Sequence, residues 1–121
     1  MQYLLLIYDD ESRWMNMPPE ALKAMYDDYG AFSASVEAAG AMRGGAELQP
    51  ISSATTVRVR NGKVQTIDGP FAETKEQLGG YYLIDVPDLD AALAWAAKIP
   101  SARGGAIEVR PLVEHDPSAQ G

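Results

Sequence analysis

Between Asp68 and Tyr82 the chain sets Asp68, Glu73, Lys75 and Glu76 beside Phe71, Tyr81 and Tyr82. A carboxylate next to apolar rings is desolvated, which raises its pKa and suits it to general acid or base work. Lys75 would supply a cation for an anionic ligand. The same residues also make an ordinary turn: aspartate bonds nearby backbone, glycine tolerates positive φ, and proline fixes the next φ. Spacing leaves both readings standing, with the turn the commoner one. Ala72 to Leu78 reads as one helical turn stopped by Gly79.

Other chemistry is thinly supplied. There is no cysteine, so disulfides, thiolate nucleophiles and thiolate metal sites are excluded together. The one histidine, His115, sits in a polar stretch near the C-terminus, which argues against a buried histidine base or a Ser/His/Asp arrangement. Asp9-Asp10-Glu11 would offer an oxygen-only cation site, and a solvated loop is the simpler reading, so no metal is expected. Met15, Met17, Met25 and Met42 suit a core better than a cofactor. Trp14 could lid a cleft, but packing at one end of the fold is the plainer role. Arg43 and Arg103 each precede a glycine pair and could hold an anion; ion pairs with the chain's many acids are the alternative. Neither glycine pair has the spacing of a dinucleotide or phosphate loop, and no cofactor is expected.

The elements that would position these groups are legible. Gln2 to Tyr8 is a short, nearly continuous apolar run, the pattern of a strand covered on both faces. Pro18-Pro19-Glu20 opens a helix, with proline in the first turn and an acid at the positive end of the dipole. Leu22, Met25, Tyr26, Tyr29, Phe32, Val36 and Ala39 then form one apolar stripe, and Gly40 is placed to end it. Gly30 lies inside this helix, through close packing or incidentally. Thr55 to Ile67 predicts a hairpin turning at Asn61-Gly62, with Val59 opposite Val64, Val57 opposite Thr66, and Arg58, Arg60, Lys63 and Gln65 on a solvated face. Tyr81 to Val86 is a strand, Leu89 to Ile99 a helix capped by Asp88, and Ala106 to Val113 the last strand. Arg-Gly-Gly-Ala follows each main helix, at Arg43 and again at Arg103. That echo fits a βαβ unit used twice, an α+β, ferredoxin-like split βαβ plan with an inserted β-hairpin. Helices then cover one sheet face, and a second copy is the simplest cover for the other.

The chain has 121 residues with a formal charge of −7, and 46 % of it is hydrophobic. These values predict one globular domain over residues 1–113 followed by a polar tail over 114–121. An acidic surface repels phosphate backbones, which argues against nucleic acid. No apolar run is long enough for a membrane span, and the N-terminus lacks the basic segment and cleavage site of a leader, so a cytoplasmic location is expected.

Asp68-Gly69-Pro70-Phe71 resembles the DGPF-type signature of the YCII-related family. The likeness continues through Tyr3 to Tyr8, Tyr29-Gly30-Ala31-Phe32, Thr55 to Arg58, Glu73 to Tyr82 and Glu108-Val109-Arg110-Pro111. The resemblance implies a dimeric α/β barrel, in which the sheets of two subunits pack into one barrel. Some relatives have been proposed as enzymes on the strength of a His–Asp pair in a cleft. Here the histidine position falls near Tyr29, a poor base at its ordinary pKa, and Asp68 is the counterpart of the acid. The resemblance therefore implies Asp68 and Tyr29 as catalytic candidates. Around them the sequence suggests a ligand cleft lined by Tyr8, Phe71 and Tyr82, with Arg43 or Lys75 as anion partner. The alternative the resemblance implies is a non-catalytic regulatory module associated with an extracytoplasmic-function sigma factor.

Overall fold

The computed structural model describes residues 1–115. The order is β1 (Gln2–Asp9), α1 (Glu11–Met15), α2 (Pro19–Ala38), β2 (Met42–Glu47), β3 (Thr55–Arg60), β4 (Lys63–Asp68), β5 (Gln77–Asp85), α3 (Leu89–Ala96) and β6 (Ala106–Pro111). Short 3-10 turns occupy Ile51–Ser53 and Pro100–Arg103. A four-stranded sheet has the order β2-β5-β1-β6, with every pairing antiparallel, and β3 pairs with β4 as a separate two-stranded sheet. This is the split βαβ plan with an inserted hairpin. Among the described residues no helix is long and apolar enough to cross a membrane.

Alternation along β1 decides what lies on each side of the sheet. Tyr3, Leu5, Ile7 and Asp9 are buried against the helices, while Leu4, Leu6 and Tyr8 point to the other face and stay half-exposed. One face of β1 is therefore covered within the chain, where the apolar run had suggested two. The core joins Leu5 and Ile84 from the sheet to Phe32 and Val36 of α2 and Ala92 and Ala96 of α3. Trp95 packs edge-on against Phe32 with centroids 6.2 Å apart. Helix α2 starts at Pro19, takes Glu20 into its first turn and is followed by Gly40 at φ +72°, where a left-handed residue ends the helix. A Cβ on Gly30 would meet open space, so close packing does not account for that glycine.

The two Arg-Gly-Gly-Ala runs serve different ends. Arg43–Ala46 lies within β2, where a Cβ on Gly45 would come within 2.9 Å of the Tyr82 ring. Arg103–Ala106 is the turn entering β6, and a Cβ on Gly105 would lie 2.1 Å from the Tyr8 carbonyl oxygen. Both glycines permit close approach, not phosphate binding.

The hairpin has the expected register: Val59 opposite Val64, Val57 opposite Thr66, with Asn61 and Gly62 both at positive φ. Arg60, Lys63 and Gln65 are solvated as expected, but the opposite face is exposed as well. Val57, Val59 and Val64 are 60 %, 58 % and 70 % exposed, whereas Arg58 is half-buried over the Phe71 ring. The hairpin extends from the body, so its apolar side has nothing in the same chain to pack on. Residues 71–76 are irregular, and β5 begins at Gln77 instead of following a helical turn. Of the expected polar tail, Glu114 and His115 are exposed and 116–121 lie outside the described residues.

Candidate functional site

Among the described residues, the buried polar side chains are Asp9 and Ser101, 6 % and 1 % exposed. Both line the same chamber of about 350 Å³, which opens between the end of the sheet, α1 and α2. Asp9 is the last inward-facing residue of β1, so strand alternation aims its carboxylate to the helix side. The chain then turns at once into α1, and that short helix folds its own donors back onto the carboxylate. Arg13 Nη2 donates to both Asp9 oxygens at 2.9 and 3.0 Å, Trp14 Nε1 donates to Oδ2 at 3.1 Å, and the Asp10 amide donates to Oδ1 at 2.8 Å. Such a set of donors is what a buried carboxylate requires. Asp10 caps α1 by accepting from the Ser12 amide and hydroxyl, and those hydrogen bonds hold its carboxyl below the usual range. The acidic run expected to be a solvated loop thus ends a strand and starts a helix.

Helix α2 supplies the facing wall. Tyr29 Oη and Ser101 Oγ lie 2.5 Å apart. Burial, only partly offset by the Ser101 hydrogen bond, raises the Tyr29 pKa above its ordinary value of 10.0. Tyr29 is therefore neutral near pH 7 and able to donate a hydrogen bond or a proton. One turn earlier, Tyr26 donates to Glu47 Oε1 at 2.8 Å, which raises its pKa as well. The Trp14 ring lies 6.0 Å from the rings of both Tyr26 and Tyr29. On the sheet side, Tyr82 packs 5.0 Å from Phe32 and shares a 3.0 Å hydrogen bond with Ser33. An irregularity in the β1–β5 register leaves Gly79 unpaired between Leu78 and Gly80. The Leu48 amide donates to the Gly79 carbonyl at 2.8 Å, drawing the segment after β2 over the chamber mouth. Glu11 pins the same flap: its Oε2 accepts from the Ile51 amide at 3.2 Å, and its own amide donates to Gln77 Oε1. Among the described residues no cluster of His, Cys, Asp and Glu has a metal-holding arrangement.

The expected site residues separate. Tyr29 and Tyr82 line the chamber. Tyr8 and Phe71 line a second concavity, larger at about 650 Å³ and more open, that adjoins it through Gln77 and Leu48–Pro50. Asp68 is exposed at the end of β4 and lines neither. The expected approach of Asp68 to Tyr29 is not made within one chain; Asp9 is the acid that shares the chamber with Tyr29. The turn after Asp68 is held by backbone: Gly69, at φ +108°, donates to Ala54 O at 2.7 Å, and its carbonyl accepts from Thr56 Oγ1 at 2.9 Å. Arg43 is the bulged residue between β2 and β5. Its guanidinium donates to the Gly40 and Met42 carbonyls and lies 3.8 Å from Asp85, so it serves the helix end and an ion pair, away from the chamber. Lys75 is exposed outside the chamber lining. Trp14 both packs and lines the chamber, joining the two roles considered for it.

Fold and site together define an antiparallel α+β domain with an aromatic-walled chamber at one end of its sheet. The YCII-related domain matches residues 1–116, and the chain belongs to that family. It is 40 % identical over 119 residues to the uncharacterized protein R00369 of Rhizobium meliloti (strain 1021), covering 97 % of this chain and 96 % of that protein. Among solved structures it is similar to 5-chloro-2-hydroxyhydroquinone dehydrochlorinase (TftG) from Burkholderia phenoliruptrix AC1100, in complex with 2,5-dihydroxybenzoquinone. That likeness has a TM-score of 0.48 and 16 % identity, covering 95 % of this chain and 96 % of the other.

Proposed function

We propose that this protein is a cofactor-independent enzyme or binding protein for a small organic molecule, which it takes into the Asp9–Tyr29 chamber. One observation carries the reading: the buried polar side chains of the described molecule, Asp9 and Ser101, both line one cavity, and Tyr29 reaches Ser101 there. Enclosed apolar walls with a few convergent polar groups are the general form of a small-molecule site. In this reading Tyr29, neutral and steadied by Ser101, donates to a ligand oxygen or nitrogen. Glu47 on the rim is the acceptor for a ligand proton, and Asp9 holds Trp14 and Arg13 in place.

A metabolite screen by thermal shift tests it. Ligands are expected to raise the melting temperature of wild type and of Asp68→Asn, but not of Tyr29→Phe. A ligand that binds Tyr29→Phe as well as wild type but fails with Asp68→Asn would move the site to the DGPF turn.

We further propose a cytoplasmic homodimer in which a second copy covers the half-exposed face of Leu4, Leu6, Tyr8 and Leu83. Light scattering at micromolar concentration is expected to give twice the chain mass, and a monomeric mass would end this reading. The exposed valines of β3 and β4 favour a second function, a regulatory contact with a protein such as an extracytoplasmic-function sigma factor. Valine amides that remain fast in hydrogen exchange in the homodimer, yet slow when that partner is added, would support it.

A further inference from the structure

The charge of the chamber wall narrows what can enter, provided the chamber is a ligand site as proposed above. We infer that it takes a small organic cation, an amine or quaternary ammonium carried on a flat apolar body. Three rings, Trp14, Tyr26 and Tyr29, stand together on one wall, with 6.0 Å from the first to each of the others. The faces of such rings attract cations. Three carboxylates, Asp9, Glu11 and Glu47, line the same cavity, whereas no Lys, Arg or His does so among the described residues. Asp9 is balanced by Arg13. Glu11 and Glu47 are not: their partners are neutral donors, the Ile51 amide and the Tyr26 hydroxyl. Two negative charges thus border an aromatic cavity with no cation in its lining, in a chain of formal charge −7. An anionic ligand would be repelled. A cation would gain both the carboxylates and the rings, and partial desolvation strengthens each contact. The volume, about 350 Å³, is near the lower end of small-molecule sites and suits one ring with a short charged arm. This reverses the anionic ligand suggested by Arg43 and Lys75, neither of which reaches the chamber.

Phenethylamine, 2-phenylethanol and phenylacetate share one body and differ in charge. Each is titrated into the whole protein and followed by tryptophan emission, to which Trp14 contributes from the chamber wall. Phenethylamine is expected to bind at least about tenfold more tightly than the alcohol, with phenylacetate weakest. The Glu11→Gln/Glu47→Gln double variant should narrow the amine–alcohol gap to within about threefold. Alcohol or carboxylate binding as tightly as the amine would overturn the cation preference while leaving the chamber a ligand site. Silence from all three would overturn the cation preference too, and the chamber reading would then rest on the metabolite screen.

Discussion

The β1 strand and the β3–β4 hairpin have similar strand-forming sequences but opposite surroundings. Leu5 in β1 is fully buried between the sheet and α2, while Val64 in the hairpin is 70 % exposed. Strand propensity and turn chemistry fix the local geometry of each, and only what packs on the face decides how much that face stabilises the fold. The comparison extends to acids. Asp9, at the end of the buried strand, is wrapped by Arg13, Trp14 and the Asp10 amide, whereas Asp68, at the end of the hairpin, is exposed. Position along the pleat, more than membership of a recognisable motif, decides which carboxylate can take part in an enclosed site.

The largest expected effect comes from truncating the buried strand. Leu5→Ala should cost about 3–4 kcal/mol in denaturant unfolding, and Val64→Ala no more than about 0.5 kcal/mol for a single chain. A large, concentration-dependent cost at Val64 would instead show the hairpin buried by a second copy. The paired acids should differ similarly. Asp9→Asn leaves Arg13 and Trp14 poorly matched and should cost about 2 kcal/mol, discounted for the half-exposed arginine, while Asp68→Asn stays near zero. Equal costs would break the contrast between the two acids.

Tyr29 and Tyr26 sharpen the contrast in pH. The folded-state pKa of each is raised above 10.0, so each favours the fold fully at pH values below its unfolded pKa, and that contribution is lost as pH rises through the folded value. Stability should therefore fall at pH values above 10, and Tyr29→Phe should flatten the fall. In a spectrophotometric titration, Tyr29 and Tyr26 should ionise above the ordinary tyrosine value, and Tyr29→Phe should remove one late-ionising group. The smallest effect is a gain. Gly30→Ala in α2 has open space for its Cβ and should stabilise by up to about 1 kcal/mol. A loss there would contradict the open space around Gly30.

Much of the fold was legible because it follows short-range rules. An apolar run marked β1, the Pro-Pro-Glu start and Gly40 bounded α2, and Asn61-Gly62 fixed the hairpin register. The site was only half legible. Tyr29 and Tyr82 could be singled out, but Asp9 lay inside an acidic run that looks solvated, and its burial depends on α1 folding back from five residues downstream. Ser101 carried no local signal, since it enters through a 3-10 turn far along the chain. The period-two count from Tyr3 was the one clue that placed Asp9 on the buried face. Asp68 attracted the role because its motif is conspicuous, yet what that motif builds is the backbone turn at Gly69.

An NMR titration of the labelled protein with phenethylamine tests most directly whether the Asp9–Tyr29 chamber is where a ligand binds. Shifts concentrated at the Trp14 indole, Tyr29, Gly80 and Ser101 are predicted. Shifts concentrated at Asp68, Gly69 and Phe71, with the Trp14 indole unmoved, would contradict the account and return the site to the DGPF turn.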